Sequence, residues 1–213
     1  MLATSPPTER GGRDLKIYLA SGNLGKLREV AAIMSRSGVT IDPPPVDWAP
    51  PEETGQTYAD NALLKARSLV QLTGAPALAD DSGIEVRALD GAPGVRSARF
   101  AGEDATDERN LAKMLEVSRG LQDGERGVRY VCCAVLATPD GREVVKEGVL
   151  EGCLITEPRG TNGFGYDPIF VPSGLEKTAA ELSPLEKDAI SHRGQAFRAL
   201  GDAVRALAAA EGS

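Results

Sequence analysis

The stretch that decides the fold class is VRYVCCAVLA (residues 128–137), TPDGR (138–142) and EVVKEGVLEGCLI (143–155). Two apolar, β-branched runs flank Pro139-Asp140-Gly141, whose residue types favour a turn, so the pair reads as a hairpin of antiparallel strands. Strands that alternate only with helices give a parallel sheet. A hairpin inserted into such a chain makes the sheet mixed, and the fold class is α/β with a mixed β-sheet and flanking helices.

Working outward from the hairpin, the N-terminal side carries the alternation. Lys16 to Ala20 (KIYLA) reads as a buried strand that runs through Ser21-Gly22-Asn23 into a helix with Leu24, Leu27, Val30, Ala31 and Met34 at helical spacing. A short β-like stretch near Val39 to Ile41 and a proline-rich loop follow. A second helix spans about Thr57 to Leu72, with Thr57 and Asp60 spaced as a capping box and Gly74 as its stop. Ala77 to Val86 reads as a strand interrupted by Asp80-Asp81-Ser82-Gly83, then a loop holding Gly91 and Gly94, then a helix over Asp107 to Val117 capped by Thr106. On the C-terminal side, the glycine-rich segment Gly160 to Gly165 precedes a short strand, Pro168 to Val171. Two helices close the chain. Ser183-Pro184 opens the first, and the second starts near Arg193 with Phe197, Leu200, Val204 and Leu207 on one face.

With 213 residues and 41% apolar content, the chain is long enough for one domain or two tightly joined lobes with a real core. Its apolar runs fall far short of the roughly 20 residues a membrane helix needs, so no membrane partner is expected. The polar, Pro/Gly-rich start MLATSPPTERGGRD has no apolar stretch of a secretory signal, and residues 1–14 are expected to be a disordered tail ahead of one domain at 15–210. The net charge of −7, without a basic stripe, argues against a nucleic-acid partner and leaves a polyanion to be held by local lysines and arginines or by a bridging cation. Cys132, Cys133 and Cys153, with no CxxC and a single histidine, do not make a zinc site. They read as buried reduced thiols of a cytoplasmic protein.

Four segments carry candidate chemistry, and each has an ordinary reading beside the functional one. Ser21-Gly22-Asn23-Leu24-Gly25-Lys26 joins a strand to a helix, where backbone N–H groups and Lys26 suit a phosphate; without Walker spacing it could equally be a plain turn with a solvated lysine. Asp80-Asp81-Ser82-Gly83 abuts the apolar run Ala77-Leu78-Ala79, where two carboxylates need a cation or donors. A turn explains the residue types but not their place against a buried strand. Strand alternation would put Asp80 and Ser82 on one face and Asp81 on the other, so either the strand ends here or the acids have different jobs. Phe164-Gly165-Tyr166-Asp167 offers an aromatic on a glycine loop for stacking on a base, or for packing into the core. Ser191-His192-Arg193, with Lys187 before it, gathers donors between two helices, whereas a lone histidine is ordinarily structural. Glu53 alone reads as a surface acid, and Lys65 alone as a snorkelling lysine.

Together the pieces SGNLGK, EETG, NALLKA, ALADDSG, GAPGVRSARFAG, GFGYDPIF, KTAAELSPLEK and ISHRGQAFRAL resemble the non-standard purine NTP pyrophosphatase, or Ham1-like, family, in family order from about Lys16 to Leu207. The resemblance implies two lobes around an elongated mixed sheet with a central cleft, a homodimer, and hydrolysis of ITP, dITP and XTP to the monophosphate and pyrophosphate with Mg²⁺. Such a reaction would cleanse the nucleotide pool. It further implies that Ser21, Gly22, Asn23, Leu24, Gly25, Lys26 and Lys65 bind the triphosphate. Glu53, with Asp81, is implied as the metal ligand, Asp81 as proton acceptor and Asp80 as its assistant. Ser82 would contact substrate, and Phe164, Gly165, Tyr166, Asp167, Lys187, His192 and Arg193 would form the base pocket. A non-catalytic purine-nucleotide sensor on the same fold is the alternative; a phosphatase releasing orthophosphate is disfavoured because no motif for it is present.

Overall fold

The expected hairpin forms the middle of a five-stranded sheet in the computed structural model, which describes residues 16–36 and 38–211. The strands are β1 (Tyr18–Leu19), β2 (Ala77–Val86), β3 (Gly127–Ala137), β4 (Glu143–Leu154) and β5 (Phe170–Pro172), side by side in that order. β1 is parallel to β2 and the remaining neighbours are antiparallel, so the sheet is mixed. The tail expected at 1–14 lies outside the described residues.

Among the described residues five α-helices flank the sheet: α1 (Leu24–Ser35), α2 (Tyr58–Thr73), α3 (Asp107–Gly120), α4 (Pro184–Ile190) and α5 (His192–Glu211). Their ends follow the local chemistry. Thr57 and Asp60 close a full capping box on α2, and Gly74 ends that helix in the left-handed region at φ 63°. Ser183 and Glu186 make a second box on α4, with Pro184 in the first turn, where its missing N–H costs nothing.

Burial sorts the helices onto the two faces. Phe197, Leu200, Val204 and Leu207 of α5 pack with Val30, Ile33 and Met34 of α1 against Leu78, Cys132, Ala134 and Leu136. Ala62, Ala66 and Leu69 of α2 cover Ala77, Ala79, Val135 and Ala137, the residues of opposite pleat parity at the same end of the sheet. The other end holds a separate cluster of Ile84, Val86, Met114, Val128, Tyr130, Ile169 and Phe170. Asp80 and Asp81 fall between these apolar ends.

Several expectations need correction. β2 is not interrupted at the acidic pair: its ladder to β3 runs without a break from Ala77 opposite Ala137 to Val86 opposite Val128. The neighbours Asp80 and Asp81 therefore point to opposite faces. The strand expected at 16–20 is only two residues long, and the stretch near Val39 to Ile41 reduces to one bridge between Tyr18 and Asp42, because prolines 43–45 cannot donate to a ladder. The strand expected from Pro168 starts at Phe170, since Asp167 and Pro168 form a 3-10 turn in which the Asp167 carboxylate accepts from the Phe164 N–H at 2.9 Å. Gly94 to Arg99, expected as loop, is a 3-10 helix. On α1, Ile33 rather than Ala31 faces the core. Cys132 and Cys133 are buried free thiols as expected, but Cys153 is exposed, since it shares pleat parity with the outward Glu147 and Glu151.

β1 stops at Leu19, opposite Leu78. Among the described residues no strand continues on the β1 side of β2 beyond that point; a bridge from Glu85 to Pro93 touches this edge further on. At Ile84 the Ser97 hydroxyl takes a strand's place by accepting from the Ile84 N–H at 2.8 Å. The edge from Ala79 to Gly83 is thus left free, and it carries both acids.

The junction of α5 with β4 depends on the absence of one side chain. A Cβ on Gly148 would lie 2.1 Å from the His192 carbonyl oxygen and 2.8 Å from the Ala196 nitrogen. Gly148→Ala is expected to cost about 1–3 kcal/mol of unfolding free energy in urea melts, by overpacking. Gly120→Ala, in an exposed helical position with nothing within 4 Å, should be neutral or gain up to about 1 kcal/mol.

Candidate functional site

A cleft of about 810 Å³, counted with the space open to solvent, lies along the free edge of β2. Asn23 and Lys26 reach it from the start of α1, Glu53 from the loop before α2, and Asp81 and Ser82 from β2 itself. Residues 164–167 come from the glycine loop, Lys187 from α4, and His192 and Arg193 from the start of α5. Ser21, Gly22, Leu24, Gly25, Lys65 and Asp80, also expected at the site, do not line this cleft.

The two acids are served by different elements. Asp80, 1% exposed, points to the α1–α5 side. Its Oδ2 lies 3.1 Å from Lys26 Nζ and 3.3 Å from Arg193 Nε, and accepts from the Ser82 hydroxyl at 3.4 Å. Burial would raise its pKa, but the charges of Lys26, Arg193 and Lys65 outweigh burial and hold the carboxyl well below the usual carboxylate range. Its Oδ1 is buried without a hydrogen-bond partner among the described residues. Asp81 points to the α2 side. Its Oδ2 accepts from Asn61 Nδ2 at 3.1 Å, and its Oδ1 lies 3.7 Å from Lys65 Nζ and accepts from the Ser82 N–H at 3.0 Å. Burial raises the Asp81 pKa, the Lys65 charge partly offsets that, and the Glu53 charge adds to it. Lys65 is buried as well, yet Asp81, Asp80 and Glu53 overcome the burial and keep its ammonium protonated. Lys65 therefore bridges Glu53, at 2.7 Å, and Asp81 from behind the cleft wall and does not snorkel to solvent.

At the other end, Lys187 and Arg193 are held by carboxylates. Lys187 Nζ lies 2.6 Å from Asp167 and 3.0 Å from Glu29. Arg193 spends its three nitrogens on Asp80, Glu29 at 2.5 Å, and the Ser82 hydroxyl at 3.0 Å. The Phe164 ring is half-buried between the two cations, 4.9 Å from Lys187 Nζ and 5.6 Å from the Arg193 guanidinium carbon, a cation–π arrangement that leaves the ring on the cleft wall. Tyr166 faces the cleft but packs into the core, and its hydroxyl donates to the Ser97 carbonyl at 2.7 Å. His192 stacks on Tyr130 at 4.6 Å with 10° between the rings. Burial first, then the charges of Arg193 and Lys187, push the imidazole well below the ordinary histidine range, so it is neutral at neutral pH.

The start of α1 is partly occupied by its own cap. The Asn23 side chain accepts from the Gly25 N–H at 2.8 Å and the Lys26 N–H at 3.1 Å, while the buried Ser21 hydroxyl accepts from the Asn23 N–H at 3.2 Å. Leu24 points to solvent at 67% exposure. Lys26 is the member of this segment whose charge is placed in the cleft.

Three contributors were not expected. Glu29 ties Lys187 to Arg193, Asn61 donates to Asp81, and the Tyr130 hydroxyl donates to Asp167 at 3.4 Å. One sequence signal existed: Asn61 and Lys65 are two polar residues four apart on an otherwise apolar helix face, so they point the same way. Glu29 on α1 and Tyr130 on β3 carry no such mark.

Known proteins resemble this chain over most of its length. The Ham1 family model matches residues 17–203. The dITP/XTP pyrophosphatase of Streptomyces avermitilis is 49% identical over 196 residues, covering 90% of this chain and 98% of that protein. That of Escherichia coli K12 is 49% identical over 195 residues, covering 89% and 98%. Among solved structures, a HAM1 protein from Coxiella burnetii superposes with a TM-score of 0.81 at 43% identity, covering 90% of this chain and 98% of that one.

The buried neutral His192 makes stability depend on acidity. The unfolded chain takes up this proton near 6.5, the folded chain only well below it. Between those values the unfolded state binds more protons, so stability is full above about pH 6.5 and falls with pH below it, by up to about 1.4 kcal/mol per unit from this group. Urea melts at about pH 7 and about pH 5 should show that loss, and His192→Phe, which keeps a ring on Tyr130, should flatten it.

Proposed function

The chain belongs to the Ham1 family, and on that premise we propose that it hydrolyses non-standard purine nucleoside triphosphates (ITP, dITP and XTP) to the monophosphate and pyrophosphate. One observation carries the reading: Lys26 lines the same cleft as the carboxylates of Asp81 and Glu53, with Phe164, Lys187 and Arg193 lining it as well. A polyphosphate and the group that activates water against it have a common place there.

In this reading Asp81 is the proton acceptor for the attacking water. It lines the cleft, and its burial raises its pKa, which makes it a better base than an ordinary surface carboxylate. Lys26 stabilises charge on the leaving pyrophosphate, and Lys65 holds Asp81 and Glu53 in place from behind. Asp80 keeps Lys26 and Arg193 aimed into the cleft from the other face of β2, and Ser82 braces Arg193.

The reaction class calls for a divalent cation, which we take to be Mg²⁺. Glu53 and Asp81 fit that ion: both are hard oxygen donors, and both lie beside the one Lys65 ammonium, at 2.7 and 3.7 Å. No group of three His, Cys, Asp or Glu side chains is gathered for a metal among the described residues. Two carboxylates suit Mg²⁺, which is usually held by one or two of them with water and substrate phosphates. Bound there, the ion would neutralise phosphate charge and orient the anhydride.

Phe164 would stack on the base, and donors among Lys187, His192 and Arg193 would read the 6-oxo group of hypoxanthine or xanthine. Adenine, with an amine at that position, would leave the donor unpaired, a mismatch that can discriminate by up to about 10⁴–10⁵. We also assign the chain a homodimeric, cytoplasmic state and a single two-lobed domain over 15–210. No helix among the described residues is long and apolar enough to cross a membrane.

The test is purified protein with Mg²⁺ and ITP, XTP, dITP, GTP or ATP, scored separately for pyrophosphate and orthophosphate. Pyrophosphate is expected as the direct product, with ATP the poorest substrate; orthophosphate as the direct product sinks the assignment. Asp81→Asn should lower kcat by about 10²–10⁴-fold while the melting curve stays cooperative. Phe164→Ala should raise KM for ITP about 5–200-fold, the equivalent of about 1–3 kcal/mol of lost stacking, and an unchanged KM would return Phe164 to a purely structural role.

A further inference from the structure

Asn61 is fully buried, at 0% exposure, on α2. A buried primary amide must satisfy both ends, and here the two ends serve different parts of the cleft. Its Nδ2 donates to Asp81 Oδ2 at 3.1 Å, and its Oδ1 accepts from the Gly55 N–H at 2.8 Å. The partners dictate the orientation of the amide, because a carboxylate needs a donor and a backbone N–H needs an acceptor. Gly55 stands two residues after Glu53 in the loop before α2. One helical turn after Asn61, Lys65 repeats the same bridge with charge, 2.7 Å from Glu53 and 3.7 Å from the other oxygen of Asp81. Each oxygen of Asp81 thus has its own partner on α2, and each partner also grips the Glu53 loop.

The fit at this point is close. A Cβ on Gly55 would lie 2.6 Å from Asn61 Oδ1 and 2.9 Å from the Asn61 backbone nitrogen, so the loop lies directly on the amide. Asn61 is itself fixed by the capping box: its N–H donates to the Thr57 carbonyl at 3.2 Å, in the first turn that Thr57 and Asp60 lock.

We propose that Asn61 is a positioning residue that fixes the rotation of the Asp81 carboxylate and ties it to the Glu53 loop, so that the proton acceptor and the metal-binding loop are set by one side chain. This rests on the pyrophosphatase reading above, which gives Asp81 and Glu53 their roles. Asparagine suits the position because it is neutral. An aspartate would supply no donor to Asp81 and would add a carboxylate beside two others. An alanine would strand both the Gly55 N–H and one Asp81 oxygen.

The test compares the unmodified protein with Asn61→Ser and Asn61→Asp for ITP turnover, thermal melting, and hydrogen–deuterium exchange of the peptide around Gly55. The unmodified protein should protect the Gly55 amide. Asn61→Ser should lose that protection, Asn61→Asp should keep it because its carboxylate still accepts from the Gly55 N–H, and both should lose about 10–100-fold in kcat, as removal of a ligand-orienting partner typically does. KM for ITP should stay within about 2-fold, because the Phe164 stack and the Lys26 and Lys187 charges come from other elements. A merely structural asparagine would lower the melting temperature and spare kcat. A kcat within about 2-fold of the unmodified value in a folded variant overturns the proposal. So does rapid exchange at Gly55 in the unmodified protein, which needs no variant to fold. An unmodified protein that turns over no purine triphosphate refutes the pyrophosphatase reading instead, and does so before any variant is compared.

Discussion

Two carboxylates on adjacent residues of an unbroken strand cannot share a neighbourhood, because the pleat turns successive side chains to opposite faces. Both are buried here, and a buried charge without a partner costs several kcal/mol. The sheet must therefore receive positive charge and donors from both sides at one level of one strand. Lys26 of α1 and Arg193 of α5 meet Asp80 on one side; Lys65 and Asn61 of α2 meet Asp81 on the other. Three helices, two from the first third of the chain and one from its end, are brought to this level. The apolar clusters to either side fill what remains.

That arrangement also accounts for the cleft. Opposite faces of a sheet would ordinarily give two unrelated sites. β1 ends at Leu19, and with no strand beyond it among the described residues a single cleft reaches around the edge of β2 to Asp81 and to the cations that Asp80 holds. The different surroundings of the acids follow from the same geometry: Asp81 faces the cleft, while Asp80 is enclosed and paired with Lys26 and Arg193.

Much of this was legible in the chain. The hairpin around Pro139-Asp140-Gly141, the capping boxes at Thr57 and Ser183, and the apolar face of α5 are local signals, and local signals survive folding. The elements that were misread or passed over are those decided at a distance. Asp80-Asp81-Ser82-Gly83 carries turn residues, yet it stays in a strand because β3 pairs with every one of them. Lys65 reads as a snorkelling lysine until Glu53 and Asp81 close around it, and Glu29 is an ordinary helical acid until α4 and α5 bring Lys187 and Arg193 against it. Pairing across about 160 residues has no local trace, whereas eight ordered motifs did bring most of the cleft residues together before any contact was known.

The free edge of β2 has a further consequence. A bare strand edge offers unpaired N–H and C=O groups to any passing chain, and proteins guard such edges against sheet-to-sheet aggregation. Here Ala77 and Leu78 are covered by β1, and the part beyond them holds two buried carboxylates whose compensating cations stand beside it. A foreign β-strand docking there would have to bury the partly exposed charges of Lys26 and Glu53. The opening is passable for a small polyanion and inhospitable to a polypeptide, so the features that admit a ligand also protect the fold from its own kind.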